Sequence, residues 1–116
     1  MKRLYSATLN SLRGLRYGIG HEAAVREEAM LLIAGLLLGL VVAPSIGWYV
    51  MTTASLLILL AVELLNTAIE KLADHVTPEH DMEIGRIKDY GSAAVFCAIC
   101  LAGLTWLAAL AIRCGF

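Results

Sequence analysis

The chain has 116 residues, of which 59% are hydrophobic and 16% are charged, and its mean hydropathy is +0.76. This composition leaves too little polar surface to cover a soluble core of that size, so it excludes an ordinary water-soluble domain. The basic residues are dispersed and the net charge is −1, which does not predict a nucleic-acid partner. We therefore expect a small integral membrane protein.

Residues 1–28 are amphipathic rather than apolar. The large apolar residues that recur near helical spacing are Leu4, Leu9, Leu12, Leu15 and Ile19. Basic residues are interleaved with them, which predicts a surface helix over about 1–20 that lies in the membrane interface. Gly14, Gly18 and Gly20 weaken a helix, so we expect a break near them. A cleaved signal peptide is excluded because no apolar core precedes residue 29.

The remainder of the chain is dominated by long apolar runs. No charged residue occurs from Ala29 to Val62, which is too long for one crossing of about 20 residues, and Pro44 to Gly47 divides the run. We expect an all-α polytopic fold in a single domain, residues 1–116, with three transmembrane helices at about 29–43, 48–74 and 91–112. The first of these is short, so it must be lengthened by helix from residues 21–28.

Lysine and arginine are distributed unevenly along the chain. Five of the nine lie before residue 29, three lie between residues 71 and 88, and none lies in the first hairpin. By the positive-inside rule, the N-terminus and the loop between the second and third spans are cytoplasmic.

A polar stripe begins inside the second apolar run. Glu63, Asn66, Glu70 and Asp74 follow one another at spacings of three, four and four, which places them on one face of one helix. Glu63 is fifteen residues past Trp48, or about 22 Å along the helix, so it lies within the membrane near the cytoplasmic edge. A carboxylate at that depth favours function over structure.

The charged residues suggest a chemistry that joins a lipid to a nucleotide. Glu63, desolvated at the inner end of the stripe, could take a proton from a lipid hydroxyl. Glu70 and Glu22 are hard oxygen donors that could hold Mg²⁺ together with phosphate and water. The phosphates of a nucleotide could be met by basic side chains at Arg3, Arg86 and Lys88. Asp89 could fix Lys88 or a ligand. The sequence has no phosphate-binding glycine loop, which excludes a soluble nucleotide-binding domain.

The polar stripe and the segment that follows it resemble the sequence of a known family. The stretch Glu63-Leu-Leu-Asn-Thr-Ala-Ile-Glu70, then Asp74, then Gly85-Arg-Ile-Lys-Asp-Tyr-Gly-Ser-Ala-Ala-Val95, is similar to the signature of the small bacterial membrane diacylglycerol kinases. Glu22-Ala-Ala-Val-Arg26 and Glu28 extend the likeness, as do the chain length and the number of spans. The resemblance implies a homotrimer with shared active sites in the inner membrane. It also implies transfer of the γ-phosphate of MgATP to the hydroxyl of diacylglycerol, which gives phosphatidic acid.

The same resemblance implies a role for individual residues. Glu63 would be the catalytic base, with Glu22 and Glu70 as ligands of Mg²⁺. Besides these two metal ligands, the nucleotide would be contacted by Arg3, Asn10, Glu79, His80, Asp81, Lys88 and Asp89. Besides Glu63, the lipid substrate would be contacted or its site supported by Arg3, Ser11, Arg16, Glu28, Asn66 and Ser92.

The sequence alone leaves two alternative functions open. The related undecaprenol kinases share the stretch from Glu63 to Glu70, although the Gly-Ser-Ala-Ala-Val sequence after Asp89 favours diacylglycerol. A small oligomeric channel or transporter subunit would need a continuous polar path. Above Glu63, however, the second span offers only Thr52, Thr53 and Ser55.

Several of these residues also have a purely structural interpretation. Glu22 could pair with Arg26 one turn later, and residues 79–83 could be a solvated loop. Gly35 and Gly39 suit close helix packing, and Trp106 suits an interfacial anchor. Neither the three cysteines nor the three histidines show the spacing of a metal site.

Overall fold

The computed structural model describes all 116 residues, which form four helices and no strand. The helices are α1 (Lys2–His21), α2 (Ala23–Val42), α3 (Ile46–Val76) and α4 (Met82–Arg113). The all-α prediction is therefore confirmed. Helix α3 lies between α2 and α4 and packs against both of them.

Helices α1 and α2 meet at a one-residue elbow at Glu22. This residue has extended backbone, with φ −116° and ψ 116°, and its N–H donates to the carbonyl of Gly18 at 2.8 Å. On the other side of the elbow, Arg26 Nη1 donates to the carbonyl of Ile19 at 3.2 Å. Both bonds satisfy carbonyls in the last turn of α1 that have no partner within the helix.

Of the three glycines near which a break was predicted, Gly14 and Gly18 do not interrupt α1, which runs unbroken to His21, and the chain turns at Glu22, two residues after Gly20. Gly18 is buried at the α1–α2 contact, where a Cβ atom would lie 3.2 Å from Cγ1 of Val25. The missing side chain thus lets the helices approach closely. This glycine serves packing between helices rather than a turn within one.

Helices α2 and α3 are joined by a short turn at residues 43–45. Ser45 caps α3, because its Oγ accepts a hydrogen bond from the backbone N–H of Trp48 at 3.3 Å. Tyr49, in the first turn of α3, donates its hydroxyl proton to the carbonyl of Leu36 at 2.9 Å. The turn is therefore tied back to α2 on its inner side.

Two glycines of α2 form a packing surface, as their spacing predicted. A Cβ atom at Gly35 would collide with Leu56 and lie 3.3 Å from the ring of Trp106, and one at Gly39 would lie 3.0 Å from the ring of Tyr49. Trp106 is half-buried against this surface, and its Nε1 has no hydrogen-bond partner. The structure thus gives Trp106 a packing role between α2 and α4 that the interfacial-anchor interpretation did not include.

Most of the apolar surface is left uncovered. Only 16 of the 116 residues are buried, and the large side chains of α2, α3 and α4 are mostly exposed. Helices α3 and α4 contain 31 and 32 residues and are long and apolar enough to cross a membrane. An exposed apolar area of this extent indicates contact with lipid or with other protein chains.

Candidate active site

The predicted polar stripe forms one face of α3. Glu63 and Asn66 are buried, with 8% and 7% of their surface exposed, whereas Glu70 and Asp74 are exposed. Asn66 Nδ2 donates to Glu70 Oε1 at 3.3 Å, which shows that the two side chains share a face. The stripe therefore runs from the packed interior of the helices to their open end.

Two further carboxylates, one at the elbow and one on α2, lie beside this stripe. Glu22 is held at the elbow and Glu28 follows six residues later, and both are half-buried. Glu63 lies within electrostatic range of Glu22, Glu28 and Glu70. One oxygen of Glu28 is buried without a hydrogen-bond partner. The elbow, α2 and α3 thus bring four carboxylates to one region of the molecule.

Glu22 pairs with a residue that the sequence did not single out. Its Oε1 lies 3.0 Å from Nζ of Lys71 on α3, and the side chains are 26% and 67% exposed respectively. The predicted alternative, a pair between Glu22 and Arg26, is wrong because Arg26 turns back to the carbonyl of Ile19. The pair therefore links the elbow to the open end of the stripe.

A second ion pair joins α3 to α4. Lys88 Nζ lies 2.5 Å from Oδ1 of Asp74, so the last carboxylate of the stripe holds the lysine that the sequence assigned to nucleotide binding. Asp89, which was expected to fix Lys88 or a ligand, is exposed and is not the partner of that lysine. The basic group thus sits at the exposed end of the acidic stripe.

Helix α4 also packs against Asn66. Gly91 is buried, and a Cβ atom there would collide with Asn66 Oδ1, which has no hydrogen-bond partner. The sequence offered no local signal for this contact, because it depends on how α4 is aligned with α3. Asn66 is therefore fixed by packing on one side and by Glu70 on the other.

Apart from Ser11, which lines a cavity together with Glu22 and Lys71, the structure does not join the other predicted site residues to this cluster. These residues are exposed and lie on α1, on the loop between α3 and α4, or on the first turns of α4. They are Arg3, Asn10, Ser11, Arg16, Glu79, His80, Asp81 and Ser92. Asp81 has a structural role, because its Oδ1 accepts the N–H of Ile84 at 3.1 Å and caps α4. Ser11 donates to the carbonyl of Ala7 within α1. None of the ion pairs connects α1 to α4.

Two cavities adjoin the carboxylates. One of about 620 Å³ lies between α2, α3 and α4, with Glu27 and Glu28 in its lining and mostly apolar side chains such as Leu59 in the rest. The other, of about 910 Å³, lies where α1 meets α2 and α3, and both Glu22 and Lys71 line it. A strongly apolar space and a less apolar one, which includes the charged pair, thus approach the same cluster.

The donor set suits a metal that arrives with phosphate. No group of three or more histidine, cysteine or acidic side chains is arranged to hold an ion, and all three cysteines are free and exposed. Mg²⁺ is usually bound by only one or two carboxylates, with phosphate and water completing its six ligands. Glu22 and Glu70 are carboxylates, the donor type that this requirement names, and Glu22 already contacts a cationic group, the ammonium of Lys71.

The fold and the site together define a class: an all-helical protein with a carboxylate cluster beside two helices of membrane-crossing length. The chain matches the model of the prokaryotic diacylglycerol kinase family over residues 9–110. The chain therefore belongs to this family, which confirms the resemblance of its sequence.

Individual relatives agree with this assignment. The chain is 34% identical over 106 residues to the diacylglycerol kinase of Haemophilus influenzae, and the match covers 91% of this chain and 90% of the relative. It is 35% identical over 104 residues to the diacylglycerol kinase of Escherichia coli K12, with 90% and 85% covered. It is 36% identical over 106 residues to that of Pseudomonas aeruginosa, with 91% and 86% covered.

Proposed function

We propose that this protein transfers the γ-phosphate of MgATP to the hydroxyl of diacylglycerol, giving phosphatidic acid and ADP. Family membership makes the chain a lipid kinase. The observation that carries the proposal is the carboxylate stripe of α3, which connects a buried acid at Glu63 to exposed charged groups at Asp74 and Lys88. A reaction between a lipid and a water-soluble nucleotide needs such a path between two environments.

Glu63 is the proposed general base. Its carboxylate accepts the proton of the lipid hydroxyl, whose oxygen attacks the γ-phosphorus while the bond to the β-phosphate oxygen breaks and ADP leaves. Burial of Glu63 supports this role, because a buried acid costs several kcal/mol unless it is used or compensated. Asn66 and Glu70, joined by a hydrogen bond, keep the neighbouring turn of the stripe in place.

Glu22 and Glu70 are the proposed ligands of Mg²⁺. Glu22 at the elbow and Glu70 on α3 would hold the ion, which when bound would neutralise charge on the transferring phosphate. Lys88 is the proposed phosphate contact from α4, with Asp89 beside it. The exposed groups of α1 and of residues 79–81 would contact the rest of the nucleotide.

The apolar cavity between α2, α3 and α4 is the proposed place of an acyl chain. Its lining is apolar except near Glu27 and Glu28, so a lipid could enter it with its hydroxyl directed towards the carboxylates. Glu28 lies within electrostatic range of Glu63, which supports its assignment to the lipid headgroup. Arg3, Ser11, Arg16 and Ser92 would complete the lipid contacts from α1 and α4.

We place the protein in the inner membrane as a three-span protein with α1 on the cytoplasmic surface. Helices α3 and α4 are each long enough to cross, and α2, with 20 residues, extends about 30 Å. The exposed apolar area supports both lipid contact and assembly. A homotrimer with sites shared between subunits would let α1 of one chain reach the stripe of the next.

The decisive experiment is transfer of labelled γ-phosphate from ATP by the purified protein in mixed micelles. Micelles that contain diacylglycerol should yield labelled phosphatidic acid, whereas micelles that contain undecaprenol should yield much less product. Preferential labelling of undecaprenol would replace the proposed substrate with the alternative one. Removal of Mg²⁺ by a chelator should abolish transfer in either case.

A further inference from the structure

We propose that Lys71 competes with the divalent cation for Glu22, so that its ammonium group must leave this carboxylate before the metal can bind. The observation is the 3.0 Å contact between Lys71 Nζ and Glu22 Oε1. Lys71 directly follows Glu70 along α3, so the competing cation is anchored beside the second metal ligand. The inference rests on the proposed role of Glu22 in metal binding.

The two cations cannot share Glu22 without cost. A carboxylate has two oxygens, but an ammonium on one and Mg²⁺ on the other would lie within about 5 Å and repel each other. Partial burial of the Glu22 side chain, which is 26% exposed, reduces the screening of this repulsion by water. Occupation by one cation therefore weakens occupation by the other.

The structure also identifies Lys71 as the partner that moves. The backbone of Glu22 is fixed by its own N–H bond to Gly18 and by the bond from Arg26 to Ile19 across the elbow. Lys71, in contrast, has a side chain that is 67% exposed and ends a flexible four-carbon stem. Departure of its ammonium into the adjoining cavity of about 910 Å³ needs no change in the helices.

Such a contact is weak enough to be displaced. Ion pairs with an exposed partner usually contribute little, since water competes with them and the long side chain loses freedom. Removal of the competing ammonium should therefore raise metal affinity by about two- to fivefold rather than by orders of magnitude. The pair thus tunes the metal requirement without blocking the site.

The test is to measure Mn²⁺ binding to the full-length protein in detergent micelles. Electron paramagnetic resonance reports the bound fraction, and neither nucleotide nor lipid substrate is present. Lys71→Gln should bind Mn²⁺ about two- to fivefold more tightly than the unmodified protein, and Lys71→Arg should resemble the unmodified protein because it keeps a cation at the same place. An unchanged or weakened affinity of Lys71→Gln would overturn the proposal.

A charge-matched variant separates local competition from net charge. Val76 is exposed, lies five residues later and so points away from Lys71, and a lysine near a helix C-terminus is tolerated. The double variant Lys71→Gln with Val76→Lys has the original net charge and should keep the tighter binding. A return to the original affinity would show that net charge alone is responsible, which also overturns the proposal.

Glu22→Gln distinguishes this inference from the proposed function. If Glu22 is a metal ligand, this variant should bind Mn²⁺ at least about tenfold more weakly, in line with the loss of one charged ligand. Weakening by Glu22→Gln without strengthening by Lys71→Gln removes only the competition. An unchanged affinity of Glu22→Gln removes the metal assignment and the competition with it.

Discussion

Gly91 on α4 packs directly against the side-chain amide of Asn66 on α3. The contact leaves no space for a Cβ atom, and Asn66 in turn donates to Glu70. Helix α4 therefore determines where a proposed metal ligand of α3 is held. Gly91 has no side chain, so its effect on the site is purely steric.

Gly91→Ala should consequently lower turnover at least about tenfold and destabilise the protein by about 1–3 kcal/mol, because the added methyl group displaces Asn66. Phosphate-transfer assays and thermal unfolding in detergent would measure the two effects. Gly20→Ala is the matched control, since a Cβ atom there meets nothing within 4 Å. Similar behaviour of the two variants would show that Asn66 moves aside without consequence.

Glu63→Gln preserves the shape of the proposed base and removes its ability to accept a proton. It should reduce kcat at least about 10²-fold while nucleotide affinity changes little, because general-base catalysis usually contributes factors of that size. Glu83→Gln, which alters an exposed acid paired with Arg86 on α4, should be near normal. Activity of Glu63→Gln within threefold of the unmodified enzyme would remove the base assignment.

Glu70→Ala should raise the Mg²⁺ concentration needed for half-maximal activity and also lower the maximum, because a metal ligand is lost. A magnesium titration at saturating ATP and lipid would separate these two effects. Glu83→Ala should change neither of them. If both variants have equal effects, the metal lies elsewhere.

Mixed assemblies can test whether sites are shared. Subunits with Glu63→Gln alone and subunits with Arg3→Ala and Asn10→Ala would be unfolded and reassembled in equal amounts. In a closed ring whose sites take α1 and α3 from different chains, about a quarter of the sites would be intact after random mixing. Each mutant must first be inactive alone and correctly assembled. No recovery from a well-mixed population would place both parts on one chain.

The helical class and the stripe of α3 could be predicted because both depend on local periodicity. Apolar runs determine the helices, and spacings of three and four residues place Glu63, Asn66 and Glu70 on one face. The turn that follows the surface helix could also be predicted to within a few residues, but the role of Gly18 could not. Gly18 looked like a helix breaker, but its lack of a side chain is used for contact with Val25.

Contacts between distant parts of the chain were beyond sequence reasoning. The pair between Glu22 and Lys71 joins residues 49 positions apart, and nothing in the local pattern of either segment selects that partner over Arg26. The contact of Gly91 with Asn66 likewise needs the alignment of two helices to be known. Family resemblance supplied roles for the carboxylates, but it did not supply the internal partners that hold them.

Glu22 lies at the pivot that sets the direction of α1 relative to α2. Helix α1 is about 30 Å long and joins α2 through one extended residue, so a rotation of about 10° there moves the far end of α1 by about 5 Å. The carboxylate at the pivot hardly moves during the same rotation. The two hydrogen bonds across the elbow oppose this rotation, so they hold Arg3 and Asn10 on α1 in position relative to the acid at the joint.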